Sequence, residues 1–332
     1  MKIKEIYNLA IKKAISADPR GEKGVKAKLE RLKKTYEKLD KEEKRDFDKE
    51  RLSNPYDDTR ILYGDPEKDV KKVMVGVDVE DSGMLLADRL NEKGAGIDLV
   101  ISHHPEGKAL ASLDKVMGVQ ADLFHKFGVP INIAEGLLSG RIAEVRRGVS
   151  SINHNMPVDA ARLLNVPLMC AHTVCDNLVY DFLQKEMDKK KPETVGDVVK
   201  ALKGIPEYKE AIKTNAGPMI FTGCEENRAG KIACVEITGG TSGAKEMYEK
   251  AANAGIGTII SMHMGEEHRK QAEKYNINVV VAGHISSDSV GLNLLMDELE
   301  KKGVKIVPMG GFIRVSRNSA RGGLSTKQKK TK

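Results

Sequence analysis

The stretch that decides the fold is KKVMVGVDVEDSGMLLADRLNEKGAGIDLVIS, residues 71–102. It begins with the β-rich run VMVGVDV, continues with an amphipathic segment, and finishes with the apolar run IDLVIS. Asp81 near the start of the middle segment and Gly94 after its end are typical boundaries of a helix. Strand, helix and strand in about thirty residues form a βαβ unit, which places the two strands parallel in one sheet.

The same alternation continues through the rest of the chain. Further strands are predicted in the runs VPINIAE (129–135), VPLMCAH (166–172), PMIFTG (218–223), KIACVEITG (231–239), GTIISM (257–262), INVVVAG (277–283) and VKIVPMG (304–310). Helical spans such as TSGAKEMYEKAANAG (241–255) and EEHRKQAEKY (266–275) lie between several of them. We therefore predict an α/β fold with largely parallel sheets covered by helices.

The composition is typical of a soluble globular protein. The chain has 332 residues, of which 40% are hydrophobic and 31% charged, enough for one large domain or two smaller ones. Trp is absent, so an aromatic platform for nucleic-acid bases is not expected. No apolar run has membrane-spanning length, the N-terminus does not resemble a signal peptide, and the four cysteines form no C-x-x-C pair. We expect a cytoplasmic protein with reduced thiols and no membrane association.

Two charged segments flank the α/β domain, which is predicted to span residues 65–315. Residues 1–64 contain a run rich in Lys and Glu with apolar residues three or four apart, so we predict a charged helical arm that contacts a partner rather than the core. Residues 316–332 are predicted to be a basic disordered tail, which binds nucleic acid at most non-specifically. Seven cations after position 313 account for the whole net charge of +7, so the rest of the chain is formally neutral.

The run IDLVIS ends in two adjacent histidines, His103 and His104, followed by Pro105. Functional side chains of open α/β sheets gather beyond the carboxyl ends of the strands. Imidazoles are common ligands of transition metals. Because successive residues of an extended chain point to opposite sides, the two rings can face two different ions. The alternative is a strand end whose histidines hydrogen-bond to local carbonyl groups.

The segment AHTVCDN, residues 171–177, also follows an apolar strand. It supplies His172, Thr173 and Asp176 at the strand end. Asp176 precedes a helical pattern, so it is either a metal ligand or the residue that caps the helix.

The segment VVVAGHISSDSVG, residues 279–291, places His284 four residues before Asp288 after a third strand. On a helix, residues at this spacing share one face and can hold one site. The alternative is that Ser287 or Asp288 only caps the following helix. IDLVISHHP and INVVVAGHI also suggest a weak internal duplication.

Taken together, the three strand ends supply a mixed set of nitrogen and oxygen ligands. Such a set suits one or two divalent ions such as Zn, Mn or Fe. Two ions that share a carboxylate would activate a water molecule for hydrolysis.

The order of motifs SHHP, AHTVCDN, ITGGTSGAKE, MGEEH and AGHISSDSVG resembles the Nif-three-like dinuclear-metal family, whose members are often labelled GTP cyclohydrolase I type 2 homologues. The resemblance spans residues 70–315. It implies a Nif-three-like fold in two lobes, a homohexameric ring and two divalent metal ions. The ligands it implies are His103, His104, Asp176, His284 and Asp288. The family usually has Glu where Asp288 stands, which leaves the choice between one and two ions open.

Other strand ends supply secondary candidates. Glu266 and His268 follow GTIISM and are predicted to act as general acid or base; an acidic start of a helix is the alternative for Glu266. Asp78 ends the first strand and is expected to contact a ligating histidine. The turn GGTSG, residues 239–243, suits a phosphate or is a plain tight turn.

Two classes of function follow from these residues. The first is a metal-dependent hydrolase of a nucleotide-like or phosphorylated small molecule, and the second is a non-enzymatic metal-binding protein with a regulatory or interaction role.

Overall fold

The computed structural model describes residues 1–318, which form two β-sheets with helices on their faces and between them. This arrangement confirms the prediction of an α/β fold with largely parallel sheets. The strands are β1 (Thr59–Tyr63), β2 (Lys72–Gly76), β3 (Leu99–Ser102), β4 (Leu168–Ala171), β5 (Met219–Thr222), β6 (Lys231–Glu236), β7 (Ile256–Ser261), β8 (Asn278–Val281) and β9 (Lys305–Met309).

Fourteen α-helices are assigned in the described part of the chain, with short 3₁₀ turns at 49–52 and 113–116. The helices are α1 (Ile3–Ala17), α2 (Gly21–Lys38), α3 (Lys41–Asp46), α4 (Asp81–Glu92), α5 (Gly107–Leu110), α6 (Gly118–Lys126), α7 (Ile131–Ser150), α8 (Met156–Leu164), α9 (Thr173–Lys190), α10 (Val195–Lys203), α11 (Pro206–Ile212), α12 (Met247–Asn253), α13 (Glu266–Lys274) and α14 (His284–Lys301).

The two sheets have related strand orders. The first has the order β1-β4-β3-β2-β9, and the second has the order β5-β8-β7-β6. In each sheet the first strand is an antiparallel edge and the other strands are mutually parallel. The carboxyl ends of the parallel strands in one sheet therefore lie at one edge of that sheet, where side chains distant in sequence can meet.

Helices α9 and α14 connect the cores of the two sheets. Leu178 of α9 and Leu292 of α14 pack into the core of the first sheet, whereas Leu183 of α9 and Val290 of α14 pack into the core of the second. The two helices touch at Gly291, where an added Cβ would lie 2.4 Å from the backbone oxygen of Cys175. Both helices begin directly after a strand, so this contact sets the distance between two strand ends.

The N-terminal segment is not an arm, and this prediction is wrong for α1 and β1. Ile3, Ile6 and Ala10 are buried in the core of the first sheet together with side chains of α9 and α14, and β1 pairs with β4. Only α2 and α3 match the predicted charged surface helices, since Val25 is their single fully buried side chain. The α/β domain therefore begins near the first residue rather than at residue 65.

Replacing Ile6 with alanine is expected to lower the free energy of unfolding by about 2–5 kcal/mol, because the isoleucine is completely buried. Ile152 is 48% exposed, so Ile152→Ala serves as the matched control and should change stability by less than about 0.5 kcal/mol. Denaturant unfolding of the two variants measures both values. Similar small losses for both variants would mean that α1 is a dispensable arm.

Two further sequence predictions change in the structure. The run VPINIAE is not a strand but the start of the twenty-residue helix α7. The predicted basic tail begins with ordered contacts, since Arg317 pairs with Glu207 at 2.7 Å and its backbone amide donates to Asp297 Oδ2 at 3.0 Å. The rest of the predicted tail, residues 319–332, lies outside the described residues.

Candidate metal centre

Three buried side chains at strand ends form a first group of potential ligands, here called group 1 (His103, Asp176 and Asp288). His103 follows β3, Asp176 lies in the first turn of α9, and Asp288 lies one turn into α14. His103 Nε2 is 3.3 Å from Asp176 Oδ1 and 3.3 Å from Asp288 Oδ1. Within the group, one potential ligand atom of each residue lies within 4.8 Å of the others.

A second group, here called group 2 (His104, His284 and Asp288), lies beside the first and shares its aspartate. His104 Nε2 is 3.5 Å from Asp288 Oδ2, and His284 Nε2 is 3.7 Å from the same oxygen. Asp288 therefore turns Oδ1 toward group 1 and Oδ2 toward group 2. Although its side chain is one methylene shorter than that of glutamate, it reaches both groups.

The donor atoms of these groups suit a divalent transition metal. Among the buried atoms without a hydrogen-bond partner in the described residues are four that belong to the two groups: His103 Nε2, Asp176 Oδ1, Asp288 Oδ1 and Asp288 Oδ2. Buried polar atoms without partners are costly. Ligand bonds of about 2.0–2.2 Å place neighbouring atoms of a tetrahedral zinc site roughly 3.3 Å apart, which is close to the 3.3–3.7 Å between each histidine Nε2 and the carboxylate oxygens that it faces.

The other ring nitrogens of the paired histidines are held by acceptors. His103 Nδ1 donates to the backbone oxygen of Ala171 at 3.2 Å, and His104 Nδ1 donates to Asp78 Oδ1 at 2.6 Å. The predicted contact between Asp78 and a candidate ligand is therefore present. Nδ1 of each ring therefore keeps its proton, and Nε2, which faces the group, is the nitrogen that a metal ion would take, as in most metal-binding histidines.

Opposite charges face each other across the two groups. Burial alone would lower the pKa of His103, but the negative charge of Asp288 and the contact with Asp176 outweigh it, so the pKa lies well above its ordinary value. Burial alone would raise the pKa of Asp288, but the facing histidines, His103 foremost, hold that pKa below its ordinary value. The carboxylate of Asp288 thus stays ionised and attracts positive charge.

The backbone explains why two adjacent histidines serve two groups. The amide of His103 donates to Gly76 at 2.9 Å and that of His104 donates to Val77 at 3.0 Å, so both residues are anchored on the end of β2. The chain bends at both positions directly after β3, and the bend together with the two anchored amides sets the directions of the rings. As the sequence predicts, the two rings therefore face different groups.

The capping alternatives do not hold in the structure. Helix α9 already begins at Thr173 with His172 at its N-cap position, so Asp176 lies inside the first turn. Helix α14 begins at His284, and Asp288 lies on the same helical face one turn later. Neither aspartate caps its helix.

Three residues outside the predicted ligand set also lie at this centre. The ring of His172 is 5.0 Å from that of His103, and the ring of His263 is 5.0 Å from that of His284. Asp58, which precedes β1, accepts a hydrogen bond from His172 Nδ1 at 2.8 Å. His172 follows β4 directly, which is the one sequence signal for it. His263 likewise comes directly after the predicted strand GTIISM, whereas Asp58 carries no comparable signal.

A cavity of about 30 Å³ opens beside the two groups, which is room for about two water molecules. Besides residues of the two groups it is lined by His172, Glu236, Ile237, Thr238, Gly240, Thr241, Ser242, Met262 and His263. The GGTSG turn thus contributes to the cavity, but it does not open a helix, since α12 begins at Met247. Gln120 Nε2 holds the turn by donating to Gly239 and Thr241 backbone oxygens at 3.0 and 2.6 Å.

A groove of about 1220 Å³ meets this cavity at Met262, His263 and His284. Apolar side chains that include Phe221 and Ile285 line much of its length.

The two predicted acid–base residues lie away from the cavity lining. Glu266 is exposed on α13 and forms an ion pair with Arg269 at 2.8 Å. His268 Nε2 lies 3.0 Å from the backbone oxygen of Gly243. A catalytic role for Glu266 or His268 stays a prediction that the geometry does not strengthen.

Comparison with solved structures gives matches over most of the chain. A NIF3 superfamily protein from Sphaerobacter thermophilus matches with a TM-score of 0.69 and 28% identity, over 77% of this chain and 91% of that chain. Reduced HcgD from Methanocaldococcus jannaschii matches with a TM-score of 0.45 and 18% identity, over 76% and 88%. The hypothetical protein SA1388 from Staphylococcus aureus matches with a TM-score of 0.43 and 18% identity, over 76% and 89%.

Neither a protein-family model nor a curated protein matches the sequence. Within residues 1–318, no helix combines the length and the apolar character that crossing a membrane requires.

Proposed function

Because the chain belongs to the Nif-three-like family, we propose that it binds two divalent metal ions and is a metal-dependent hydrolase of a nucleotide-like or phosphorylated small molecule. The observation that carries the proposal is the set of four buried donor atoms on His103, Asp176 and Asp288 that lack hydrogen-bond partners among the described residues. A ligand that satisfies nitrogen and carboxylate donors together is a Zn, Mn or Fe ion.

His103, Asp176 and Asp288 Oδ1 would hold one ion, and His104, His284 and Asp288 Oδ2 would hold the other. When bound, such ions activate a water molecule and polarise a carbonyl or phosphoryl oxygen of the substrate. Asp78 and the Ala171 carbonyl group keep the lone pairs of His104 and His103 directed at the ions. The cavity beside the groups would hold the water molecule and the reacting oxygen of the substrate.

The shape of the surface supports a small-molecule substrate. The groove that meets the cavity at Met262, His263 and His284 is large enough for a molecule of nucleotide size. Its apolar lining suits a planar base or ring, and a phosphoryl or carbonyl group of the same molecule would lie in the cavity beside the two groups. His263 stands where groove and cavity meet, so it is placed to hydrogen-bond the substrate.

The family resemblance extends the proposal to a cytoplasmic homo-oligomer, a ring of six chains. Light scattering on the purified protein measures the mass of the particle, and a monomer would contradict this part of the proposal.

The enzyme function is tested by turnover of metal-loaded protein with GTP and a panel of phosphate esters. We expect turnover that stops when a chelator removes the ions and returns when they are restored. His103→Ala and His284→Ala should lose both turnover and metal. A catalytic role for Glu266 or His268 predicts that Glu266→Gln or His268→Ala lowers kcat while both ions stay bound. A fully loaded protein without turnover on any of these compounds would favour the non-enzymatic metal-binding role instead.

A further inference from the structure

We propose that His172 is a further nitrogen ligand of the metal centre and that Asp58 positions its ring for this role. The inference rests on the proposed function, because it adds a ligand to the same centre. It is carried by three observations: the hydrogen bonds of Asp58, the direction of the free nitrogen of His172, and the equivalent positions of two H-x-x-x-D motifs in the fold.

Asp58 fixes the orientation and the tautomer of the His172 ring. Its side chain is completely buried, and Oδ2 accepts hydrogen bonds from His172 Nδ1 at 2.8 Å and from Thr173 Oγ1 at 2.6 Å. Burial alone would raise the pKa of Asp58, but the hydrogen bonds from His172 and Thr173 outweigh it and hold the pKa below its ordinary value. Because Asp58 Oδ2 accepts from His172 Nδ1, Nε2 is the ring nitrogen of His172 that is left for a metal ion.

The free nitrogen of His172 faces the candidate ligands. One ring nitrogen of each of His103, His104 and His172 lies within 4.8 Å of the other two, and His172 Nε2 is 3.8 Å from Asp176 Oδ2. The residue is 6% exposed, so solvent does not account for this orientation. Although His172 occupies the N-cap position of α9, its side chain makes no capping hydrogen bond.

The hydrogen bond between Asp58 and His172 resembles the one between Asp78 and the candidate ligand His104. His104 also has Nδ1 bound to a carboxylate, that of Asp78, while its Nε2 faces Asp288. A carboxylate behind a histidine is the common way in which proteins orient a ligating imidazole and strengthen it as a donor. Asp58 accepts a hydrogen bond from Nδ1 of His172, just as Asp78 accepts one from Nδ1 of His104.

The fold places His172 and His284 at equivalent positions. β4 and β8 are each the parallel strand next to the antiparallel edge of their sheet. Each strand leads into an 18-residue helix, α9 or α14, that carries a histidine at its start and an aspartate four residues later. The pair His172 and Asp176 in the first sheet therefore corresponds to His284 and Asp288 in the second. Three of these four residues are already in groups 1 and 2, and the fourth is His172.

The experiment measures zinc binding to metal-free wild type and variants by competition with a chromophoric chelator. We expect His172→Ala and Asp58→Ala each to lower the affinity for one of the two ions by roughly 10- to 100-fold or more. Asp58→Asn should lose less zinc affinity than Asp58→Ala, because the amide oxygen of the asparagine still accepts a hydrogen bond from His172 Nδ1. His125→Ala is the control, since Nδ1 of His125 on α6 donates to the Val129 backbone oxygen and the residue belongs to no group of potential ligands, and it should leave the affinity for both ions unchanged.

A second readout holds even where His172→Ala does not fold. In wild type labelled with ¹⁵N at histidine, we expect His172 to be protonated at Nδ1 before metal is added and its Nε2 resonance to move on addition of Zn²⁺. The visible spectrum of the Co²⁺-loaded protein should change in the milder variant His172→Gln.

Unchanged zinc affinities, an unchanged Co²⁺ spectrum and an immobile Nε2 resonance, in a protein whose wild type binds two ions, would overturn the role of His172 and leave the proposed function intact. A wild type that binds no divalent ion would overturn the proposed function and this inference with it.

Discussion

Replacing Asp288 with alanine is expected to remove both metal ions from the protein. Among residues 1–318, Asp288 is the one carboxylate that both groups share, with Oδ1 3.3 Å from His103 and Oδ2 3.5 Å from His104. Loss of a mere supporting partner of a ligand weakens metal binding by roughly 10- to 100-fold, and the loss of a shared ligand should exceed this for each ion. Elemental analysis after gel filtration measures the result.

Asp297→Ala is the control for this variant. Asp297 is also a buried aspartate of α14, but it pairs with Arg314 at 2.7 Å at the other end of the helix. This variant should lose stability while it keeps two ions per chain. If Asp288→Ala retained one ion at full affinity, Asp288 would belong to a single site.

Gly291→Ala is expected to destabilise the protein by on the order of 3 kcal/mol and to weaken metal binding as well. The added Cβ would lie 2.4 Å from the backbone oxygen of Cys175 and 2.8 Å from Val179 Cγ2. The backbone oxygen cannot rotate away as a flexible side chain can, so α9 and α14 must move apart. Because these helices carry Asp176 and Asp288, the ligand groups should separate with them.

The matched control is Gly140→Ala in α7, where an added Cβ meets nothing within 4 Å. Alanine is favoured over glycine inside a helix, so this variant should be stabilised by about 0.5–1 kcal/mol. Thermal unfolding and metal analysis of both variants give the comparison. Equal effects of the two substitutions would mean that the contact between α9 and α14 does not set the geometry of the centre.

The sequence was sufficient to predict the α/β architecture and where the candidate ligands lie. His103, Asp176 and His284 each follow an apolar run, and carboxyl ends of parallel strands share an edge, so physical reasoning brings them together before any coordinates are known. The resemblance to a known family reduced the candidate side chains to a set of five expected metal ligands. The i to i+4 spacing of His284 and Asp288 correctly predicted that both side chains lie on one face of a helix, which is α14.

What the sequence could not supply were the relations between strands that are distant along the chain. The suggested duplication made the strand before His103 equivalent to the strand before His284. By its position in the strand order, however, β8 is equivalent to β4. Asp58 is 114 residues from His172 and reaches it only through the pairing of β1 with β4. Neither relation leaves a local periodicity that a sequence pattern can reveal.

Local ambiguity explains the errors in the first part of the chain. The average composition of residues 1–64 is highly charged, which obscured the helical spacing of Ile3, Ile6 and Ala10 on the buried face of α1. The run VPINIAE is short and apolar, and such runs do not separate strands from buried helices by periodicity alone. The structure resolves it as a helix that follows Pro130.

The most direct test of the two-ion centre is anomalous diffraction from crystals of the metal-loaded protein, combined with elemental analysis of the same sample. Our account predicts two ions per chain, one contacted by His103, Asp176 and Asp288 and the other by His104, His284 and Asp288. A single ion per chain, or ions held by residues outside these groups, would contradict it.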